Sequence, residues 1–593
     1  MGVARGTQME MEMANAEKRV NRKWNWRRAI AGAVLALAAA NAPAGAARLR
    51  GQPAPPRARA FDIVIAGGRI YDGTGSPWYS GDIGIRHGRI AAIGNLAGAP
   101  RRQTVDARGL AVAPGFIDML DQSGRSILRH PRLQSKIYQG ITTVVTGEGE
   151  SVAPRWPGRA GGAAGPGWTT FARYFARLRR QGIGVNLASF VGAATVRELA
   201  LGDGDVQPSP AQLRRMEALV RQAMQDGAVG LSTALQYPPA PFAKTGELIA
   251  LARVASAYGG IYATHLRSEG AREPEAVAEA IRIGREAHIP VEIFHIKEAG
   301  HANWGKMPQL VAQIAAARAA GVDIFASTYA YTAWSNGLSS FIPPWAHIGG
   351  RAALVNNLRN PATRARIRAD LLNPASWGNN DWQEIPGPEA VEIVGVRNPA
   401  LRRFEGRRLS DVAAAWHEDP MDALFDFLIQ DGGRTSVAVF GMSEPDVELA
   451  LRQPWVSICT DETGTSPSPT AHPHPRAYGT FPRILRKYVR QDRLLTLADA
   501  IRKMTALPAA QMRFADRGVI KRGMWADLVV FNSATIRDRA TYNHPQQFAR
   551  GMAWVLVNGV PVISAGKLTG ALPGKVLVGP DAKRGGRGQN NLN

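Results

Sequence analysis

Short apolar runs bounded by glycine recur through the middle of the chain, and segments with helical periodicity separate most of them. A brief, continuous apolar run is typical of a parallel strand buried on both faces, and the intervals between the runs leave room for a helical crossover. The runs lie at 110–118, 140–147, 184–192, 227–234, 259–266, 289–297, 321–330 and 455–462. This alternation predicts an α/β protein with a (β/α)8 TIM-like barrel.

Segments with alternating polarity and glycine-containing turns occur at both ends of this pattern, for example "FDIVIAGGRIYDG" and "MAWVLVNGVPVI". They predict a small β-sandwich domain formed from both termini, residues 61–113 and 513–575. The catalytic barrel then covers 114–512. The long interval before the last run contains helix-like sequence and predicts an insertion at about 345–450. A polar tail, 576–593, is expected to be disordered.

The N-terminus has the layout of a secretory signal peptide over residues 1–46, followed by a Pro/Arg/Ala-rich linker over 47–60. The basic stretch "KRVNRKWNWRR" precedes the apolar core "AIAGAVLALAAA", and "APAGAA" offers cleavage positions. Export to a bacterial periplasm or secretion is therefore expected, with an uncleaved membrane anchor as the alternative. The Arg27-Arg28 pair leaves both the Sec and the twin-arginine routes open. No later stretch is long and apolar enough to predict a membrane span.

The charge balance is strongly basic, with 72 Lys and Arg against 48 Asp and Glu in 593 residues. These cations are scattered and form no basic block, so the pattern indicates a solvated, arginine-rich surface rather than a nucleic-acid partner. Cys459 is the single cysteine. It excludes an intramolecular disulfide framework and a zinc site with several cysteines. The sequence leaves the oligomeric state open.

Polar residues close several of the apolar runs, where a barrel places its active site. Glu148 and Glu150 follow the second run, His265 and His295 close the fifth and sixth, and Asp461 closes the eighth. Imidazole and carboxylate groups are zinc ligands, and a hydrolytic site keeps one position open for water. A carboxylate that the metal does not consume can transfer protons. The pattern predicts a metal-dependent hydrolase with Asp461 as acid and base.

A series of motifs carries a resemblance to a known family. They are "GGRIYDGTG", "PGFID", "GITTVVTG", "GLSTALQYPP", "YATHLRSEG", "FHIK", "YTAWSNGLSSFIPPWAHIGG", "HPRAYGTFPRILRKYV" and "GVIKRGMWADLVVFN". Their order resembles the N-acyl-D-amino-acid deacylase (D-aminoacylase) branch of the amidohydrolase superfamily, over residues 61–565. The resemblance implies an amide-cleaving hydrolase that acts on small N-acyl amino acids.

The resemblance also implies a set of metal ligands, and this sequence differs from the family's set at two places. His265 and His295 match the family's zinc ligands and Asp461 matches its acid/base. The family's cysteine ligand falls in "GEGE", where Glu148 is the expected replacement and Glu150 the second choice. The family's His-x-His after strand 1 is Leu120 and Gln122 here. We therefore expect one ion, zinc, with Mn, Fe or Co as alternatives.

Substrate contacts follow from the same resemblance. The family grips the substrate carboxylate with residues that match Tyr237, Lys297, Tyr329, Ser335 and Arg476. The expected reaction is deacylation of N-acyl-D-amino acids to a carboxylate and a free D-amino acid. Two alternatives remain open: an amidohydrolase for another linear or cyclic amide, and a catalytically inactive exported binding protein.

Overall fold

The computed structural model describes residues 59–155, 168–469, 471–580 and 582. The described residues belong to one compact unit, Arg59–Asn593. The predicted signal peptide (1–46) lies outside the described residues, as does most of the predicted linker (47–60). Within the described part of the chain, no helix is both long and apolar enough to span a membrane.

One nine-stranded sheet contains strands from both ends of the described chain. Its two parts meet where Leu528–Phe531 pairs antiparallel with Ala111–Pro114. Buried isoleucine and valine side chains cover one face, as the alternating sequence requires. The strands are Phe61–Ile70, Tyr79–Arg86, Arg89–Gly94, Arg101–Asp106, Ala111–Pro114, Leu528–Phe531, Met552–Val557, Val560–Ser564 and Lys567–Leu568.

Seven of the eight apolar runs contain a parallel strand and the first run overlaps the start of one; we number them strands 1–8. They are Phe116–Asp121, Ile141–Thr146, Asn186–Ser189, Gly230–Ala234, Ile261–His265, Val291–Ile293, Ile324–Thr328 and Val456–Ile458. Strands 1–3 form one parallel sheet, and strands 4–8 form another with the short strand Val191–Gly192, which continues strand 3. The end of strand 1 also bonds to the loop after strand 8, because Asp461 N donates to Leu120 O at 2.9 Å.

Helices connect these strands. The helix Pro210–Asp226 shows how the sequence sets their limits: Ser209 and Gln212 form a capping box at its start, and Gly227 ends it with a φ of 116°. The helices are Gln134–Ile137, Phe171–Gln181, Ala193–Leu201, Pro210–Asp226, Thr245–Ala257, Glu273–Ala287, Met307–Ala319, Glu444–Arg452, Arg476–Arg483, the π-helix Ile484–Gln491, Leu497–Met504 and Ala506–Gln511. Short 3-10 turns cover Ser126–Leu128, Ala240–Phe242 and His301–Asn303.

An insertion with its own antiparallel sheet separates strands 7 and 8. Its strands are Trp334–Gly337, Val391–Gly395 and Ser436–Val439, so the sheet begins before the predicted boundary at 345. Its α-helices are Gly350–Arg359, Pro361–Leu372, Asp381–Glu384, Leu409–Trp416 and Pro420–Gln430. Its 3-10 turns are Leu338–Phe341, Pro344–His347, Pro388–Ala390 and Pro399–Phe404.

The prediction of disorder is wrong for the first residues of the segment 576–593. Leu577 N donates to Leu187 O at 2.8 Å, and Leu187 N donates to Lys575 O at 2.9 Å, so this segment pairs with strand 3. The pairing supplies hydrogen-bond partners to backbone groups of strand 3. The polar composition of the segment could not predict these hydrogen bonds, because they depend on the backbone and not on the side chains. Residues 583–593 lie outside the described residues.

A buried ionic group joins strand 1 to the end of strand 8. Lys136 Nζ lies 3.1 Å from Asp118 Oδ2 and 2.8 Å from Asp121 Oδ2, and it donates to Glu462 O at 2.7 Å. Burial raises the pKa of Asp118 to about 6 despite the neighbouring ammonium. Asp118 also accepts a 2.8 Å bond from Thr460 N. The group fixes the backbone beside Asp461.

Candidate metal centre

Three potential metal ligands meet at the C-terminal ends of strands 2, 5 and 6. His265 Nδ1 lies 3.2 Å from Glu148 Oε1 and 3.0 Å from His295 Nε2, and His295 Nε2 lies 2.9 Å from the same glutamate oxygen. Ligands bound tetrahedrally at about 2.0–2.2 Å from zinc lie about 3.3–3.6 Å apart, only slightly farther. The donor types and their separation therefore fit a zinc-like ion.

The electrostatics of the cluster also favour a cation. Burial lowers the pKa of His295, but the surrounding carboxylates, Glu269 foremost, outweigh it and raise this pKa to about 9. Burial raises the pKa of Glu148, yet the hydrogen bonds from both histidines hold it well below its ordinary value. The carboxylates around these donors thus favour positive charge at the point where the donors converge. A bound metal ion would supply positive charge at this point.

The loop after strand 2 is shaped by glycine so that Glu148 reaches the histidines. Gly149 has a φ of 61°, and a Cβ there would lie 2.6 Å from the backbone nitrogen of Ala234 in strand 4. Its own N–H donates to Ser232 Oγ at 3.1 Å. Only glycine allows this approach. Glu150, the second candidate ligand, is exposed and lies outside the cluster.

Glu269 lies against His295 and more distantly beside His265, and sequence reasoning missed it. Its Oε1 lies 3.0 Å from His295 Nδ1 and 2.6 Å from Lys297 Nζ, and its Oε2 lies 3.6 Å from His265 Nε2. A carboxylate that accepts the outer N–H of a ligating histidine fixes the tautomer and aims the other nitrogen at the metal. The signal was present in "HLRSEG", where the acid follows His265 by four residues.

Replacing Glu269 with glutamine is expected to weaken metal binding by about 10–100-fold, because the amide lacks the negative charge that Glu269 places 3.0 Å from His295 Nδ1. Equilibrium dialysis with zinc measures the change. Glu275→Gln, an exposed change on the following helix, is the matched control. Unchanged affinity in Glu269→Gln would show that the histidines need no such support.

Asp461 lies at the rim of the cluster and is held through both carboxylate oxygens. Gln122 Nε2 donates to Oδ1 at 3.2 Å, and Arg476 Nη1 lies 3.0 Å from Oδ2. Asp461 has a φ of 48°, a left-handed conformation that aspartate tolerates better than most residues. The bond from Asp461 N to Leu120 O stabilises this turn. The carboxylate is therefore fixed, but it is not one of the three clustered donors.

Four of the five predicted substrate contacts line one cavity of about 340 Å³ beside the cluster: Tyr237, Lys297, Ser335 and Arg476. Tyr329 is 1% exposed and lies behind the cavity wall, with Arg476 over its ring at 4.8 Å. Lys297 is already bound to Glu269, so it braces the ligands as well as facing the cavity. The insertion contributes Asn336, Asp381 and Ser436 to the wall, which the sequence did not predict.

The comparison with known proteins agrees with this geometry. Residues 103–563 match the profile of the amidohydrolase family. N-acyl-D-glutamate deacylase of Alcaligenes xylosoxydans xylosoxydans is 37% identical over 85% of this chain and 93% of its own. The chain belongs to the amidohydrolase family. The resemblance read from its motifs is confirmed.

Two solved amidohydrolase structures extend the comparison. The crystal structure of N-acyl-D-glutamate deacylase from Bordetella bronchiseptica, complexed with zinc and a phosphonate inhibitor that mimics the tetrahedral intermediate, is 34% identical. It covers 88% of this chain and 100% of its own, with a TM-score of 0.74. A D-aminoacylase studied for one-metal activation and second-metal attenuation is 33% identical, with a TM-score of 0.73 and coverage of 87% and 100%. The α/β fold of this amidohydrolase is thereby confirmed.

Proposed function

We propose that this amidohydrolase removes the acyl group from N-acyl-D-amino acids and releases a carboxylate and a free D-amino acid. The observation that carries the proposal is the cluster of Glu148, His265 and His295 with Asp461 fixed at its edge. Similarity to deacylases along nearly the whole chain supports the same substrate class.

Glu148, His265 and His295 would hold a single zinc ion. When bound, zinc polarises an amide carbonyl and makes water nucleophilic at neutral pH. Manganese, iron or cobalt could take the same nitrogen and oxygen donors. A carboxylate is a chemically harder ligand than a thiolate, so Glu148 in place of a cysteine favours this wider choice of metal ions.

Asp461 performs the proton transfers. Its carboxylate accepts a proton from the water that attacks the amide carbon, and it returns this proton to the nitrogen as the C–N bond breaks. Arg476 and Gln122 hold the carboxylate in place throughout. The leaving group departs as a neutral amine, and the acyl product is a carboxylic acid that loses its remaining proton to solvent to become the carboxylate. Asp461 is then ionised again for another turnover.

Arg476 and its neighbours position the substrate. Arg476 is 2% exposed and donates to Ser335 O at 3.2 Å, which turns its guanidinium towards the cavity wall. A guanidinium can donate two parallel hydrogen bonds to one carboxylate, so Arg476 is suited to bind the free carboxylate of the substrate. Tyr237, Ser335 and Lys297 complete the contact surface, and Tyr329 supports the two cations from behind.

A substrate panel tests this function. Zinc-loaded protein is incubated with N-acetyl and longer N-acyl derivatives of matched D- and L-amino acids, and the released amine is measured. We expect turnover of D-substrates and little of L-substrates. Turnover confined to L-substrates, or to other linear or cyclic amides, would refute the substrate class. Metal-bearing protein that hydrolyses no amide would identify the inactive binding protein instead.

We also propose two finer features of the fold. Strands 1–8 close into a (β/α)8 barrel, which the hydrogen bond between strand 1 and the loop after strand 8 supports. The nine-stranded sheet folds over as a β-sandwich beside it. A crystal structure that left strands 1 and 8 apart would contradict the closure.

Export is proposed from the N-terminal sequence alone. A basic segment, an apolar core and small residues near position 46 favour cleavage of residues 1–46. N-terminal sequencing of protein from fractionated cells tests this proposal. A mature chain in the cytoplasmic fraction that begins at Met1 or Gly2 would refute it.

A further inference from the structure

Gln122 connects the metal cluster to the proton-transfer residue. Its Nε2 donates to Glu148 Oε2 at 2.5 Å and to Asp461 Oδ1 at 3.2 Å. The two carboxylate oxygens of Glu148 therefore have different partners: Oε1 faces the two histidines, and Oε2 accepts from the Gln122 side-chain amide. An amide has two N–H donors, which is the number needed to bind two carboxylates at once.

The position of Gln122 is fixed by the backbone. Its N–H donates to Glu462 O at 3.2 Å, one residue beyond Asp461, so strand 1 and the loop after strand 8 hold both residues in register. Leu120, the other position of the expected His-x-His, is 1% exposed and has no group that can bind a metal. Gln122 is thus the one side chain of that pair that reaches the site.

We propose that the neutral amide of Gln122 occupies the place between Glu148 and Asp461 where a second cation could otherwise bind. It acts as a positioning residue for both carboxylates, and it makes this chain a one-metal enzyme that excess metal does not attenuate. The inference rests on the proposed function, because it assigns a role beside the same ion.

The physical argument is one of charge and donors. Two carboxylates close together repel each other, and a cation, a shared proton or a hydrogen-bond donor between them reduces the repulsion. The amide removes the repulsion without adding charge. A second ion would have to displace the amide and would find apolar Leu120 where a ligand is needed. The contrast is with D-aminoacylase, which has been described in terms of second-metal attenuation.

Metal stoichiometry tests the inference without any substrate. Full-length protein is dialysed against increasing zinc, and bound zinc is measured by mass spectrometry. We expect wild type to saturate at one ion per chain. The double variant Leu120→His/Gln122→His, which restores a histidine pair, should take up a second. Gln122→Glu, which adds a carboxylate without changing size, provides the same test should the double variant not fold.

Each outcome is decisive. Two ions in wild type would overturn the inference and leave the proposed function standing. No ion in wild type would overturn both. One ion in wild type and also in both variants would show that Gln122 does not exclude the second ion, and the inference would fail. One ion in wild type with a second in either variant supports it.

Kinetics tests the positioning role. Gln122→Ala is expected to lower kcat by about 10–100-fold with little change in KM and with one ion retained, as for other groups that orient metal ligands. Gln122→Asn, which is too short to reach both carboxylates, should fall between. Glu150→Gln, an exposed carboxylate on the same loop as Glu148, is the control. Added zinc should inhibit Gln122→Glu but not wild type. Full activity in Gln122→Ala would overturn the positioning role.

Discussion

Replacing Glu148 with alanine is expected to leave the purified protein almost free of metal and to lower kcat/KM by about a thousandfold or more, since the metal supplies several kcal/mol of transition-state stabilisation. The two histidines would remain, but two neutral ligands hold zinc poorly without an anionic partner. Metal analysis and steady-state kinetics on the same preparation measure both effects.

Matched variants separate this role from a general effect of the loop. Glu148→Cys restores the thiolate that the family resemblance implies at this position, so it should retain the metal and part of the activity. Glu150→Ala changes an exposed carboxylate in the same loop and should behave as wild type. A Glu148→Ala protein with a full equivalent of metal would show that another residue is the third ligand.

Replacing Asp461 with asparagine is expected to lower kcat by about a thousandfold while the metal content stays the same. The amide cannot accept the proton from water, and general acid–base catalysis contributes about 10²–10⁴-fold in enzymes. Asparagine is the informative replacement because it also tolerates the φ of 48° at this position.

The control is the folded state of the same variant. Its unfolding temperature and its bound metal should match those of wild type, because Asp461 is outside the three clustered ligands. If Asp461→Asn kept activity within about a few-fold of wild type, far less than the loss expected when general acid–base catalysis is removed, another group would be the proton-transfer residue. Glu462, which also lines the cavity, would be the next residue to test.

Local pattern was enough for the strands and for the groups at their ends. Apolar runs correspond to strands 1–8 because a buried parallel strand tolerates few polar residues. Glu148, His265 and His295 converge because parallel strands place their C-terminal ends at one edge. The pairing of the C-terminal segment was missed, since Leu577 bonds to the backbone of Leu187, far away in sequence.

Side-chain pairing within the site could not be predicted in the same way. Lys297 and Arg476 were expected to be cations facing a substrate, and both line the cavity, but each also pairs with a carboxylate that the sequence did not assign to it, Glu269 and Asp461 respectively. The sequence contains all four residues but not their distances. Burial makes these pairs necessary, because an isolated buried charge is far too costly.

The sequence by itself determined the family, the α/β fold, the two histidines of the cluster and the presence of Leu120 and Gln122 after strand 1, because each depends on residue type and order. It left Glu148 and Glu150 as alternative ligands, and the tertiary structure brought Glu148 to the histidines. Only the tertiary structure decided where the side chains of Leu120 and Gln122 lie. Leu120 is buried, while Gln122 lies between Glu148 and Asp461. A glutamine can point to solvent, core or site, and the contact between strand 1 and the loop after strand 8 selects among them.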